Sequence, residues 1–228
     1  MQHTNIPALV EKDVHLWLIP LERKHSFVDG LAKLLDDEET ARVEKFRSEQ
    51  LRRRFIVSHG RLREILGVYA DKSPKWLSFT YQNGKPSLKD CKFEFNLSHS
   101  HEMAALAITR GIPIGIDIEK VRPIPNYLEI AQRFFTEDEV RKLRNSPATD
   151  QLRTFFLVWT HKEARAKATG EGLFSSSERH TADEKPKLIH TFCQADYVGA
   201  ICIDQHSFAN AKPTEDQVED ILVQTFTQ

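Results

Sequence analysis

One order of segments occurs twice in this chain, and it constrains the fold more than any single motif. Asp36 and Glu39 stand at the spacing of a helix capping box. They precede a charged helical stretch, Glu38 to Phe46, and then a long amphipathic one from Arg52 to Tyr69 that closes near Gly67. In the long stretch Phe55, Ile56, His59, Leu62, Leu66 and Tyr69 recur at helical spacing, so one face is directed to a core. Thr136 and Glu139 repeat the capping box, and a long helix is expected from about Gln151 to Ala168, stopped by Gly170 and Gly172. Two similar α+β halves follow from this, related by pseudo-two-fold symmetry, with any shared site at their interface. The division falls near Gly111 to Ile114, giving residues 1–112 and 113–228.

Strands supply the rest of each half. Asp13 to Pro20 alternates loosely and ends at a proline, and Asn83-Gly84 marks a turn. Phe93, Phe95 and Leu97 alternate with polar residues as on a half-buried strand, and Ser98 to Glu102 reads as a polar turn. Met103 to Thr109 and Ile114 to Ile118 read as two apolar strands joined by a short hairpin loop at the centre of a sheet. Lys187 to Ile203 has strand-like spacing, preceded by a polar insert around Ser175 to Lys185.

Composition excludes several classes. With 228 residues the chain can bury a sizeable core without staples, and its three cysteines, Cys91, Cys193 and Cys202, form no CxxC pair. A reducing compartment fits that usage. Met1 to Pro20 is interrupted by Glu11, Lys12, Asp13 and His15, which leaves neither a signal peptide nor a membrane span. The expected setting is cytoplasmic. Thirty-two basic residues against thirty-three acidic ones argue against a nucleic-acid binder, which needs a positive excess.

Four segments carry candidate chemistry. In Gly115-Ile116-Asp117-Ile118-Glu119, residues two apart on a strand face one side, so Asp117 and Glu119 project together while Ile116 and Ile118 enter the core. Such a pair is costly unless a cation or proton lies between its members, and magnesium favours oxygen ligands of this kind. The plain alternative is a core strand whose other face is acidic. In Trp159 to Leu173, helical spacing puts Trp159, Glu163, Ala166, Lys167 and Gly170 on one stripe, with Glu163 available as a third carboxylate. An ordinary i,i+4 ion pair would look the same. The small Ala164, Ala166 and Ala168 nevertheless suggest close approach of another element or a ligand. Phe95-Asn96-Leu97-Ser98-His99-Ser100-His101 offers hydroxyls, amides and imidazoles for a phosphate, or only a solvated turn. Asn83-Gly84-Lys85-Pro86 by itself is a turn with a lysine, and Arg42 with Arg52 to Arg54 is a basic face that also suits phosphates.

In this order and at these separations, the four segments resemble the signature pieces of the 4′-phosphopantetheinyl transferases of the two-fold, surfactin-synthetase-activating type. The resemblance spans roughly residues 36 to 175 and includes the Phe134-Phe135-Thr136 entry to the second helical region. It implies a Mg²⁺-dependent enzyme, of holo-[acyl-carrier-protein] synthase type, that moves the 4′-phosphopantetheine arm of coenzyme A onto a serine of an apo acyl or peptidyl carrier protein. Release of 3′,5′-ADP and a monomeric state serving fatty acid, polyketide or peptide synthesis are implied with it. Asp117, Glu119 and Glu163 would hold the metal. Glu163 would take the proton from the carrier serine, and Lys167 would neutralise charge on the phosphate. Ser98 and His99 would hold coenzyme A phosphates; Lys85 and Arg42, with Arg54 as a looser candidate, would hold its nucleotide end. Residues 1–112 would then form the adenine-nucleotide side and residues 113–228 the metal and catalytic side. Arg165-Ala166 departs from the bulkier residues usual in the family at the carrier-facing side. Two rival readings fit the same acids: a metal-dependent phosphohydrolase or nuclease, and a non-catalytic module binding coenzyme A or a carrier.

Overall fold

The computed structural model describes residues 9, 13–82, 85–88, 91–170, 187–204 and 221–225. Along the chain run β1 (Val14–Pro20), α1 (His25–Ala32), α2 (Asp37–Glu44), α3 (Glu49–Ala70), a 3₁₀ turn (Pro74–Trp76), β2 (Phe79–Gln82), β3 (Lys85–Leu88), β4 (Glu94–Ser100), β5 (Met103–Thr109) and β6 (Ile114–Lys120). They are followed by α4 (Tyr127–Phe134), α5 (Glu137–Asn145), α6 (Gln151–Thr169), β7 (Lys187–Gln194), β8 (Tyr197–Asp204) and β9 (Ile221–Thr225). The fold is α+β, as the sequence pattern indicates. Asn83-Gly84, Gly172, Leu173 and the polar insert lie outside the described residues.

Both capping boxes form. The Asp36 side chain accepts from the Glu39 amide while the Asp36 amide donates to Glu39, and Thr136 and Glu139 do the same for α5. Each box opens a short helix that leads to a long one, α2 to α3 and α5 to α6. Gly170 ends α6 in the left-handed region at φ +73°, a conformation glycine adopts without steric cost. Helix α4 is not distinguished in the sequence reading; it starts after Asn126, which itself has φ +59° and gives no side-chain cap.

Strand pairing corrects one expectation. Met103–Thr109 and Ile114–Lys120 do not form a hairpin: β5 lies in a sheet of order β4-β5-β1-β9 and β6 in another of order β6-β8-β7. Strand β5 has antiparallel neighbours on both edges, β1 and β4, so it has no free ladder to offer β6. The turn expected over Ser98 to Glu102 is also shorter. Strand β4 continues to Ser100, opposite Met103, and His101 and Glu102 alone make the turn, with His101 at φ +52°. The strand β9 pairs parallel to β1, so the last described segment returns to the first sheet.

Alternation along each strand sets the layers. Trp17 and Ile19 of β1 face α1 and α3 in one apolar cluster, whereas Val14, Leu16 and Leu18 face Ile114, Ile116 and Ile118 of β6 in another. The two sheets therefore stack with helices outside, and α6 covers β6 and β8 through Ala164, Ala168, Ala200 and Cys202. Side chains of β6 that point away from the apolar cluster meet α6.

Candidate active site

Gly115 decides how near α6 comes to β6. A Cβ built there would lie 2.0 Å from the Ala164 carbonyl oxygen and 2.5 Å from the Ala168 amide, so no other residue fits without moving the helix. Of the alanines anticipated as a close-approach surface, Ala164 and Ala168 make this contact, and Ala166 is not part of it. Glu163 and Lys167 precede Ala164 and Ala168, and Asp117 and Glu119 follow Gly115 at alternate positions on the same face of β6. Helix and strand thus deliver two carboxylates, a third carboxylate and an ammonium to one seam.

Asp117 is only 5% exposed. Its Oδ1 accepts from Lys167 Nζ at 2.7 Å and from Ser98 Oγ at 2.8 Å. Its Oδ2 is buried with no hydrogen-bond partner. Lys167 also donates to the Ile116 carbonyl and to Ser98 Oγ, each at 3.2 Å. Glu119 Oε2 accepts from Ser100 Oγ at 2.6 Å and, more weakly, from Arg122 at 3.5 Å. Burial raises the pKa of Glu163; Lys167 opposes this, and the charges of Asp117 and Glu119 add to it. Glu163 is thus near enough to Asp117 and Glu119 to feel their charge.

Among the described residues, no three Asp, Glu, His or Cys side chains are drawn together tightly enough to hold a metal ion as they stand. The acids are adjacent rather than closed around one centre, with Lys167 as the cation on Asp117. Their chemistry still suits a hard divalent ion. A buried carboxylate oxygen without a donor is unfavourable unless something polar completes it, and all three side chains offer oxygen only.

The remaining candidates lie on the other face of β4 or beyond it. His99 shares that face with Phe95 and Leu97; crowding by protein lowers its pKa, with further lowering by His59 and Lys167 and a contrary pull from Asp117. Lys85 donates to the carbonyls of Ile114 at 3.1 Å and Lys167 at 3.2 Å, so it ties β3 to the start of β6 and the end of α6. Arg42 is exposed and lies over the rings of Phe55 and Tyr81, at 5.1 and 5.7 Å. Arg54 is committed to Glu22 and Glu102. Ser98, Asp117, Glu119, Glu163 and Lys167 are therefore brought together, with Lys85 at their border, while Arg42 and Arg54 stand apart. Sequence reasoning passes over Asn96 and Ser100, whose signal was their even spacing with Ser98.

An acid pair backed by serines, one member buried and one half-buried, with a glutamate and a lysine one helical turn apart, suits an enzyme that works on phosphate esters. Residues 113–217 match the family model described as the 4′-phosphopantetheinyl transferase superfamily. The 4′-phosphopantetheinyl transferase HetI of Nostoc sp. strain PCC 7120 is 40% identical over 188 residues, which cover 78% of this chain and 79% of that protein. The transferase psf-1 of Bacillus pumilus is 36% identical over 169 residues, 72% of this chain and 71% of that protein. The transferase Sfp of Bacillus subtilis is 36% identical over 154 residues, 61% of this chain and 67% of that protein. The chain belongs to the 4′-phosphopantetheinyl transferase superfamily. No helix among the described residues is long and apolar enough to cross a membrane.

Proposed function

We propose that this chain transfers the 4′-phosphopantetheine group of coenzyme A to a serine of an apo acyl or peptidyl carrier protein, as a Mg²⁺-dependent monomer of the cytoplasm. A holo-[acyl-carrier-protein] synthase activity is included in this reading. The observation that carries it is the seam itself: Glu163 and Lys167 of α6 held against Asp117 and Glu119 of β6 by Gly115, in a member of this superfamily.

In the reaction, the serine hydroxyl attacks the β-phosphorus of coenzyme A. The bond to the bridging oxygen breaks, and 3′,5′-ADP leaves with that oxygen. A serine hydroxyl is a weak nucleophile at neutral pH, and a positioned base contributes typically 10²- to 10⁴-fold. We assign that role to Glu163, which α6 brings to the seam beside Asp117, Glu119 and Lys167. Lys167 carries the charge that grows on the phosphate oxygens, having Asp117 as its partner beforehand. Asp117, Glu119 and Glu163 would hold Mg²⁺, which when bound supplies electrostatic stabilisation of the diphosphate. His99 and Ser98 would hold the phosphates and Lys85 and Arg42 the nucleotide end, so that residues 1–112 serve the nucleotide and 113–228 the chemistry.

Glu163→Gln should lower the transfer rate at least about 100-fold, the small end of a general base's contribution, with an unchanged far-UV circular dichroism spectrum. The assay is the mass gain of an apo carrier protein with coenzyme A and Mg²⁺. A wild-type rate in the Glu163→Gln variant would remove Glu163 from the base role, and transfer that persists in excess chelator would remove the metal.

A further inference from the structure

We propose that Ser100 is a positioning residue for the acid pair: its hydroxyl anchors one oxygen of the Glu119 carboxylate and so restricts the orientations from which that side chain reaches a metal. The proposal rests on the metal role assigned above to Asp117 and Glu119.

Among the described residues, strand β6 pairs with β8 on one edge only, and its other edge runs beside β4 in the same direction without a backbone ladder. Side chains of β4 take the ladder's place. Asn96 Oδ1 accepts from the Ile116 amide at 2.9 Å, Ser98 Oγ donates to Asp117 at 2.8 Å, and Ser100 Oγ donates to Glu119 at 2.6 Å while accepting from the Lys120 amide at 3.2 Å. Positions 96, 98 and 100 lie on one face of β4 and all three are buried. A serine hydroxyl has one proton. With the Lys120 amide pointing at its oxygen, and with His101 Nδ1 farther off at 3.3 Å, that proton is directed to the carboxylate, at a length typical of a charge-assisted bond.

The two serines divide each carboxylate in the same way. Ser98 and Lys167 both address Oδ1 of Asp117, and Oδ2 has no partner; Ser100 and Arg122 both address Oε2 of Glu119. In each acid the described donors gather on one oxygen. An unanchored glutamate on a strand edge has many rotamers, and a hydroxyl that holds one oxygen selects among them, as outer partners of metal-binding carboxylates do.

Mn²⁺ binding to the ligand-free chain, followed by electron paramagnetic resonance, separates this role from a loss of turnover. Ser100→Ala should weaken Mn²⁺ binding and raise the Mg²⁺ concentration for half-maximal transfer by on the order of 10-fold, with kcat at saturating Mg²⁺ changed much less. Ser100→Cys, of similar volume and a weak donor, should behave as the alanine variant, and Ser100→Thr should stay near wild type. Wild-type Mn²⁺ binding by Ser100→Ala, or by Ser100→Cys, would overturn the proposal, because then the hydroxyl does not act or only fills space. Glu119→Ala distinguishes the two levels. If it loses Mn²⁺ binding while Ser100→Ala keeps it, only the role of Ser100 fails; if it binds Mn²⁺ like wild type, the metal reading fails with it.

Discussion

The two capping-box glutamates do the same job for α2 and α5, but Glu39 and the acid of α6, Glu163, end in opposite electrostatic situations. Glu39 is fully buried; besides its cap it accepts from His59 Nδ1 at 2.9 Å and from Arg63 Nε at 2.6 Å, so it fastens α2 to α3. Glu139 fastens α5 to α6 through Lys162 Nζ at 3.1 Å, with its side chain one-third exposed. Burial works to raise the pKa of Glu39, but hydrogen bonds and charge from His59 and Arg63 outweigh it and hold the group below the ordinary carboxylate range. Among residues 113–228 the contrast is the half-buried Glu163, where burial and neighbouring carboxylates prevail over Lys167 and push the pKa up. One frame thus serves two ends. Both oxygens of the buried Glu39 have donors, whereas Asp117 Oδ2 has none and the pKa of Glu163 is raised.

The contrast breaks first at Arg63. Its side chain is fully buried and donates to Glu39, to Asp36 and to the carbonyls of Pro74 and Leu77. Arg63→Ala would remove the guanidinium from a buried carboxylate and a donor from two carbonyls, and removal of one partner from such a network costs about 3–5 kcal/mol. Urea unfolding at neutral pH measures it. The sign with pH is fixed by Glu39. A folded-state pKa below the unfolded value contributes stability above the unfolded pKa, and that contribution is lost as pH falls through the folded pKa. The penalty of Arg63→Ala should therefore be largest at neutral pH and shrink in acid. A loss below about 1 kcal/mol, the range of exposed ion pairs, would mean that the first half is no better satisfied than the second.

Gly115→Ala tests the other half. The methyl group would meet the α6 backbone at 2.0 Å, and backbone cannot swing aside as a side-chain tip can. Overpacking of this kind costs about 1–3 kcal/mol, occasionally more. Transfer should fall further than stability does, because α6 carries both Glu163 and Lys167, and displacement by about 1 Å from productive geometry costs on the order of 100-fold. The two readouts are thermal unfolding and the carrier mass-gain rate. Retained activity with a destabilised fold would detach catalysis from the approach of α6 to β6.

Local signals are what the sequence displays openly. The capping boxes, α3, α6, β1 and the strands β7 and β8 follow from spacing and turn residues, and Asp117 with Glu119 on one strand face follows from alternation. Partners across the chain are less legible. Nothing in Met103 to Lys120 tells whether two apolar strands pair or part; that depends on β1 occupying the edge of β5, from the far end of the first half. The same holds for Ser98. Its motif suggests a phosphate contact, and the hydroxyl is found on Asp117, 19 residues on, because β4 meets β6 side by side. Arg63 and His59 read as helix residues of no special kind, since only the folded α2 brings Glu39 to them. The tight Ala164, Ala168 and Gly115 contact was half legible: small residues announce a close approach without naming the partner.

The smallest expected effect sharpens the comparison most. Lys162 is the counterpart of the Arg63 and His59 pair, a single cation on a capping-box glutamate that is partly open to water. Its loss by Lys162→Ala should cost roughly 0.2–1 kcal/mol, toward the upper end because the lysine side chain is only 13% exposed. A double-mutant cycle with Glu139→Ala isolates the coupling from the cap that Glu139 also makes to Thr136. Raised salt should weaken this pair more than the Glu39 and Arg63 pair, which solvent does not reach. If the Glu139 and Lys162 coupling instead matches that of Glu39 and Arg63 and ignores salt, the two helix pairs are equally rigid. The second half's special character would then reside in β6 and its serine neighbours alone.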